Sequence, residues 1–229
     1  VCAAFIHDSS AAASKWVYSH EYGQHILENF TDGQVRTLSY ENVRTDGEVD
    51  QAVEDAVRRG ANVIFTTTPK LLLSSVRQAA LHPDVKILNC SLNTSYPSVR
   101  TYYPRLYGAK FIKGAIAGTL TRDGCIGYVA DYPTYGSIAS INAFAQGARM
   151  VNANARIYLD WAHLRDGGAV GRLQAQGIVY IDYLDRLAAS TGTQMGNRHN
   201  LALIQTHWGR LYQSLVRRVM EGSWKQEDQ

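Results

Sequence analysis

Ten polar or aromatic residues stand at or just beyond the ends of short apolar runs, where their side chains could bind a small molecule. They are His7, Asp8, Ser9, Trp16, Thr67, Thr68, Asp131, Tyr132, Trp161 and Asp182. Carboxylates, hydroxyls and imidazoles exchange hydrogen bonds with polar ligands. Two facing aromatic rings can hold a flat heterocycle, with about 0.5 to 1.5 kcal/mol beyond area burial. These residue types favour binding of a flat, polar ligand.

Each of these residues also has a simpler structural interpretation. Asp8 and Asp131 could cap helices, and the threonines after residue 66 could be turn residues. Trp16 and Trp161 could pack in a core or at its rim. The combined pattern favours binding, because carboxylates and large aromatic rings recur in both halves of the chain.

The usual signatures of catalysis and metal binding are absent from the sequence. It contains no GxxxxGK[ST], GxSxG, HExxH or GxGxxG motif. His20 and His25 are close in sequence, but a spacing of five puts them on different helix faces. The three cysteines are far apart and odd in number, which supports neither a disulfide framework nor a CxxC metal site. We predict no enzyme, no cofactor and no metal; acid–base catalysis by Asp131, Asp182 or His163 is the minor alternative.

Composition excludes two further classes. The net charge of +3 is dispersed along 229 residues, whereas nucleic-acid binding requires a concentrated basic face. The apolar runs are strand-sized and fall short of the roughly 20 residues of a membrane span. The sequence opens in an apparent strand without a basic leader region, so we expect that a leader was removed or that the sequence is part of a longer protein.

Apolar strand patterns alternate with helical patterns along most of the chain, which is typical of parallel sheets covered by helices on both faces. The predicted strands are 1–6, 35–40, 62–66, 85–90, 99–103, 125–130, 155–161 and 178–182. A first helix is predicted from a cap at Ser9 or Ser10 to Phe30. The other predicted helices are 47–59, 69–81, 105–121, 135–151, 168–176 and 208–221.

This alternation predicts an α/β protein of two doubly wound parallel-sheet lobes. The predicted N-terminal lobe is 1–104, joined by the late helix 206–222, and the C-terminal lobe is 105–185. Residues 186–205 are predicted to form a loop and crossover. Open α/β sheets bind ligands at the carboxyl ends of their strands, so a ligand cleft between the lobes is expected. This is the outline of a type I periplasmic-binding-protein fold, and also of other tandem doubly wound folds.

Several segments in order resemble the basic membrane protein (BMP) family, the substrate-binding lipoproteins of ABC transporters, some of which are purine nucleoside receptors. They read NVIFTTT from residue 62, HPDVKI from 82, YPRLYGAKFIKGAIAG from 103, IGYVA from 126 and INAFAQGAR from 141. The resemblance covers about residues 1–182, and a late helix with a Gly-x-Trp ending at 222–224 is also similar.

The resemblance implies type I lobes and a purine nucleoside or nucleobase as ligand. By matching position, Trp16 corresponds to the aromatic residue that stacks on the base, and Asp182 to the carboxylate that holds the ribose. Thr67 and Thr68 match the polar turn after the third strand, and Trp161 lies close to the second stacking aromatic. The sequence departs from the family at 13–15, where Ala-Ser-Lys replaces an Asp-x-Gly or Asp-Asn-Gly. The stretch after residue 182 also looks shorter than in the family.

The resemblance further implies an ABC transporter permease as partner and an extracytoplasmic location, with a lipid anchor in the precursor. The alternative is a ligand-sensing regulatory domain of the same fold, since some relatives of the family are intracellular regulators. Neither alternative involves nucleic-acid contact by these residues or a membrane span within them.

Overall fold

The computed structural model describes residues 1–31, 33–91, 96–130, 135–162, 168–183 and 201–225. The chain divides into two compact units. Unit 1 is Val1–Tyr103 with Gln205–Gln229, and unit 2 is Pro104–Ile204. Most of the predicted loop and crossover at 186–205 lies outside the described residues.

Unit 1 is built on a parallel sheet of five strands. Its elements up to residue 103 are β1 (Cys2–Ile6), α1 (Lys15–Phe30), β2 (Arg36–Tyr40), α2 (Asp46–Arg58), β3 (Val63–Thr66), a 3-10 turn (Pro69–Leu71), α3 (Leu72–Leu81), β4 (Lys86–Cys90) and β5 (Val99–Tyr102). The strand order is β2-β1-β3-β4-β5, and every neighbouring pair is parallel. Strands on both sides of β1 make the sheet doubly wound, as the alternation predicts.

Unit 2 contains a smaller parallel sheet. Its elements are α4 (Tyr107–Leu120), β6 (Cys125–Ala130), α5 (Tyr135–Val151), β7 (Arg156–Trp161), α6 (Ala169–Ala175) and β8 (Tyr180–Asp182). The described strands are ordered β7-β6-β8 and are all parallel. The chain then supplies a last helix, α7 (Trp208–Met220), which belongs to unit 1.

The central strands of unit 1 are apolar along their whole length because helices cover both faces of the sheet. Ile6 and Ile64 pack in one cluster with side chains from α2 and α3. Phe5 and Phe65 pack in a second cluster with side chains from α1 and α7. Successive strand residues therefore alternate between two cores.

The first helix begins later than the sequence predicts. Its cap is Ser14, whose hydroxyl accepts a hydrogen bond from the amide of Val17 at 3.3 Å. Ser10 instead accepts through its carbonyl from the amides of Ala13 and Ser14, in a turn before the helix. The prediction of a cap at Ser9 or Ser10 is wrong, because three nearby serines offer the same capping chemistry and the sequence does not rank them.

The remaining predicted strands and helices within the described residues agree with the structure to within two residues at each end. The start of α2 is fixed by a capping box, in which Thr45 and Glu48 bond each other's backbone amides. Gly60 ends the helix region with φ of 88°. The segment predicted as 69–81 consists of a 3-10 turn followed by α3.

Glycines allow the two largest helices of unit 2 to pack closely. A Cβ atom on Gly114 of α4 would lie 2.0 Å from the carbonyl oxygen of Phe144. A Cβ atom on Gly147 of α5 would lie 1.9 Å from the carbonyl oxygen of Phe111. Both distances are far below van der Waals contact, so the spacing of α4 and α5 requires glycine at both positions.

The last helix, α7, packs on α1 with a similar dependence on glycine. A Cβ atom on Gly23 would lie 2.7 Å from Cβ of Trp208, and one on Gly209 would lie 2.6 Å from Cγ2 of Ile26. Trp208 and Tyr212 are buried against the sheet as a result. The late part of the chain thus completes the core of unit 1.

In the part of the chain that the structure describes, no helix is both long enough and apolar enough to cross a bilayer. A span requires roughly 20 apolar residues.

Candidate functional site

The carboxyl end of the unit 1 sheet places four of the predicted residues next to each other in register. Ile6 pairs with Thr66, so His7 and Thr67 are the next residues of β1 and β3, and Asp8 and Thr68 follow them. His7, Thr67 and Thr68 have at most 1% of their surface exposed. Polar side chains at this edge are where an open α/β sheet would meet a ligand.

The hydrogen bonds of Thr67 determine which nitrogen of His7 carries the proton. Oγ1 of Thr67 donates its only proton to the carbonyl of Ile6 at 3.1 Å. With the hydroxyl proton used in this way, Nδ1–H of His7 is the donor in its 2.9 Å contact with the same hydroxyl. Nε2 of His7 is then a bare acceptor, and it has no partner among the described residues. Burial lowers the pKa of His7 to about 4, so the ring is neutral near pH 7.

Trp16 lies at the same edge, with its indole held by the turn after β3. Its Nε1 donates to the carbonyl of Thr67 at 2.7 Å. The ring is 7% exposed and belongs to the core cluster of α1 and α7. Tyr103, directly after β5, faces it with ring centroids 6.0 Å apart and an interplanar angle of 33°. Trp16 therefore combines core packing with a position at the carboxyl edge of the sheet.

Asp8 and Ser9 have other environments. The carboxylate of Asp8 lies 3.6 Å from Nζ of Lys70, and both side chains retain some exposure. The carbonyl of Ser9 accepts from the amide of Asn42 at 3.4 Å. Neither residue caps α1, which begins after Ser14.

Two polar residues at this edge were missed by the sequence analysis. Asn89, at the register position opposite Thr66, donates through Nδ2 to Oγ1 of Thr66 and to the carbonyl of Thr68. Ser91 follows two residues later and is 2% exposed. Oδ1 of Asn89, Oγ1 of Thr68 and Oγ of Ser91 have no hydrogen-bond partner within the described residues. Asn89 and Ser91 stand at the end of an apolar run in the sequence, and this position could have marked them as candidate site residues.

In unit 2, Asp182 ends β8 and is completely buried. Its Oδ2 accepts from Nζ of Lys110 at 2.8 Å, and its Oδ1 is ion-paired with Lys113. The lysines are 5% and 2% exposed and lie three residues apart on α4. Neither lysine was among the predicted site residues, although two lysines on one face of an otherwise apolar, glycine-spaced helix were a usable signal.

Trp161 ends β7 and is partly buried. It pairs in register with Ala130 and packs against the cluster that includes Phe144. The preceding Asp160 forms a two-point ion pair with Arg172, with distances of 2.8 and 3.0 Å. Asp131 and Tyr132 lie outside the described residues, as does His163. Within the described residues, no three His, Cys, Asp or Glu side chains are grouped to hold a metal ion.

Solved structures with similar architecture define the fold of this chain. A solute-binding protein of an ABC transporter from Conexibacter woesei superposes with a TM-score of 0.71 at 14% identity, over 99% of this chain and 83% of that one. A transcriptional activator of the comK gene from Bacillus halodurans superposes with 0.68 at 16% identity, over 98% and 84%. At these identities the likeness shows the fold alone. It confirms the predicted α/β architecture of type I periplasmic binding proteins.

The family follows from the sequence match. The family model described as ABC transporter substrate-binding protein PnrA-like (Bmp) matches residues 1–191. This chain therefore belongs to that family of substrate-binding proteins, and the predicted resemblance is confirmed.

Two curated relatives of low sequence identity are named for the ligands that they bind. A purine-binding protein of Brucella abortus is 24% identical over 234 residues, covering 93% of this chain and 67% of the relative. A putative ABC transporter glucose-binding protein of Haloferax volcanii is 25% identical over 163 residues, covering 71% of this chain and 41% of the relative. The chain thus spans about two thirds of one relative's length and less than half of the other's.

Proposed function

We propose that this protein captures a purine nucleobase or nucleoside outside the cytoplasm and delivers it to the permease of an ABC transporter. Membership of the substrate-binding family supports the transport role, and the purine-binding relative supports the ligand class. The proposal includes lipid anchoring of the full-length precursor. Sugar binding, as named for the Haloferax relative, is the competing ligand class.

The observation that supports a purine ligand is that the indole of Trp16 and the unpartnered Nε2 of His7 lie at the same edge of the sheet. In this proposal the indole of Trp16, which is 7% exposed, stacks on the ligand, and its N–H is already used by the carbonyl of Thr67. His7 offers Nε2 as an acceptor without a proton. A nucleobase combines a flat ring with N–H donors at its edge, so it matches both groups, whereas a sugar lacks the aromatic face.

The other predicted residues have defined places in this proposal. Thr68 offers a second hydroxyl at the unit 1 edge, and Asp8 and Ser9 precede α1. For unit 2 we propose contacts from Asp131, Tyr132, Trp161 and Asp182. Asp182 can accept from a ribose hydroxyl only beside its two lysines, because a carboxylate has about four acceptor sites.

Thermal denaturation with added ligands tests the proposal. Adenine, guanine, hypoxanthine and their nucleosides are compared with cytidine, uridine and glucose. A ligand at 100 times its dissociation constant adds about 2.7 kcal/mol to the free energy of unfolding. For a chain of this size the melting temperature should rise by roughly 5 to 10 °C. We expect the purines to raise it and glucose to leave it unchanged.

Trp16→Leu should abolish the purine shift, because it removes the stacking face. Trp224→Leu is the matched control: this indole contacts Arg100, with 5.4 Å between the guanidinium carbon and the ring centroid, and should leave the shift intact. No shift with any purine, or a shift with glucose alone, would refute the proposed ligand.

A further inference from the structure

Trp16 is supported by a buried group of rings from two helices. His20, one turn further along α1, meets the Trp16 ring edge-on, with centroids 4.9 Å apart and an angle of 71°. Trp208 of α7 also meets Trp16 edge-on, at 5.4 Å and 82°. His20 and Trp208 in turn stack face to face at 4.2 Å and 15°. The Trp16 indole is therefore bounded by an imidazole and a second indole that fix each other.

The rotation of the His20 ring is fixed by a polar contact with α7. Nδ1 of His20 is hydrogen-bonded to the hydroxyl of Tyr212. His20 and Tyr212 are both completely buried. Nε2 of His20 has no partner among the described residues. A leucine or phenylalanine would fill this space without a buried, unpaired nitrogen, which typically costs about 1 to 3 kcal/mol.

The contacts of His20 explain why a histidine stands at this position despite the cost of its unpaired nitrogen. Burial, with a smaller effect from nearby His7, holds the pKa of His20 well below 6.5, so the ring is neutral. The flat imidazole ring stacks on Trp208, and its Nδ1 is hydrogen-bonded to the hydroxyl of Tyr212. No aliphatic side chain offers both a flat ring and a hydrogen bond that fixes its rotation.

We propose that His20 is a positioning residue, which sets the orientation of the Trp16 indole for stacking on a ligand and ties that orientation to α7 through Tyr212 and Trp208. The inference rests on the proposed function, since it assigns Trp16 a ligand face. If His20 has this role, ligand affinity also depends on α7, the last helix of the chain.

The informative variant is His20→Phe, which keeps a flat ring and removes the hydrogen bond with Tyr212. Tyr212→Phe removes the same bond from the other side, together with the hydroxyl's interaction with Tyr102, and keeps the ring. We expect His20→Phe to weaken adenine binding, measured by calorimetry, at least about tenfold. Tyr212→Phe should weaken it in the same direction. The double variant should be no weaker than His20→Phe alone, because the two groups act through one bond.

The near-ultraviolet circular dichroism of the ligand-free protein gives a second readout. The Trp16 band is assigned as the difference between the wild type and Trp16→Leu. Both phenylalanine variants should change this band. Val53→Ala is the control, since Val53 is completely buried in the core on the opposite face of the sheet. It should lower stability while leaving the band and the affinity unchanged.

The outcomes separate this inference from the proposed function. If wild-type protein binds no purine, the proposed ligand fails, and the Trp16 band alone decides the role of His20. An unchanged band in both phenylalanine variants, or adenine affinity equal to wild type in both, overturns the positioning role. Loss of affinity in Val53→Ala equal to that in His20→Phe also overturns it, because affinity would then follow stability alone.

Discussion

At the scale of single residues, neighbours decide what a predicted site residue can do. The sequence marks His7 as polar, but only the hydroxyl of Thr67, committed to the carbonyl of Ile6, makes its Nε2 an acceptor. The sequence likewise marks Asp182 as a ribose-binding carboxylate by resemblance. The structure gives it two buried lysines, so its first effect is to hold Lys110 and Lys113 in unit 2.

The environment of Asp182 predicts a large loss of stability on its removal. Asp182→Ala should lower the free energy of unfolding by about 3 to 5 kcal/mol, because it leaves buried ammonium groups without their shared carboxylate. Urea denaturation followed by circular dichroism measures this change.

Asp50→Ala is the matched control for that measurement. Asp50 is paired with Arg77 at 2.7 Å, but its side chain is 38% exposed. Asp50 also accepts from Nε2 of the buried Gln78 at 2.6 Å. Its loss should cost about 1 to 2 kcal/mol, because the exposed ion pair contributes little and the main cost is the amide left without this bond. Equal losses in the two variants would contradict the structural role of Asp182.

At the scale of elements, the pattern of apolar residues was sufficient to predict the buried strands and the amphipathic helices. β3 and β4 were recognisable because they are buried on both sides, and α2 because Val49, Val53 and Ala56 recur at helical spacing. The start of α1 was not, since three serines could cap it. Ser14 is the residue that caps the helix. Two residues later, the indole of Trp16 donates a hydrogen bond to the carbonyl of Thr67, 51 residues away in sequence.

The site was predictable to the same extent. Polar residues after β1 and β3 could be found because the carboxyl end of a strand follows from the strand itself. Lys110 and Lys113 could not be linked to Asp182 by local patterns, since about 70 residues separate them. The late helix 206–222 was assigned to the N-terminal lobe, but periodicity does not identify Trp208 as the residue that packs against Trp16.

The close packing of α4 and α5 provides a prediction at this scale. Gly114→Ala would place a methyl group 2.0 Å from the carbonyl oxygen of Phe144, so the helices must separate. We expect a loss of at least about 2 kcal/mol in the free energy of unfolding. Gly108→Ala on the same helix meets nothing within 4 Å and should be neutral or stabilising by up to about 1 kcal/mol. Destabilisation by both would show that α4 tolerates no substitution, whatever the spacing to α5.

At the scale of the whole molecule, two neutral histidines buried in unit 1 make its stability depend on pH. The pKa of His7 is lowered to about 4 and that of His20 well below 6.5, in both cases mainly by burial. In the unfolded chain both rings bind a proton as the pH falls through about 6.5, and in the folded protein they do not. The unfolded state therefore binds more protons between these limits, and acid favours unfolding.

Each buried histidine should lower the free energy of unfolding by about 1.4 kcal/mol per pH unit below 6.5. Between pH 7.5 and pH 5 this amounts to about 2 kcal/mol for His7, and its decline ends near pH 4 because the folded state is then protonated as well. His20 adds to the loss in the same direction, because its pKa is also lowered by burial. Urea denaturation at the two pH values measures the change. His20→Phe should make the change smaller, because one of the two buried rings is removed, whereas Val53→Ala should lower stability equally at both pH values. A wild-type stability that is the same at pH 5 and pH 7.5 would mean that these rings are solvated or paired in solution, and the bare acceptor on His7 would be lost with them.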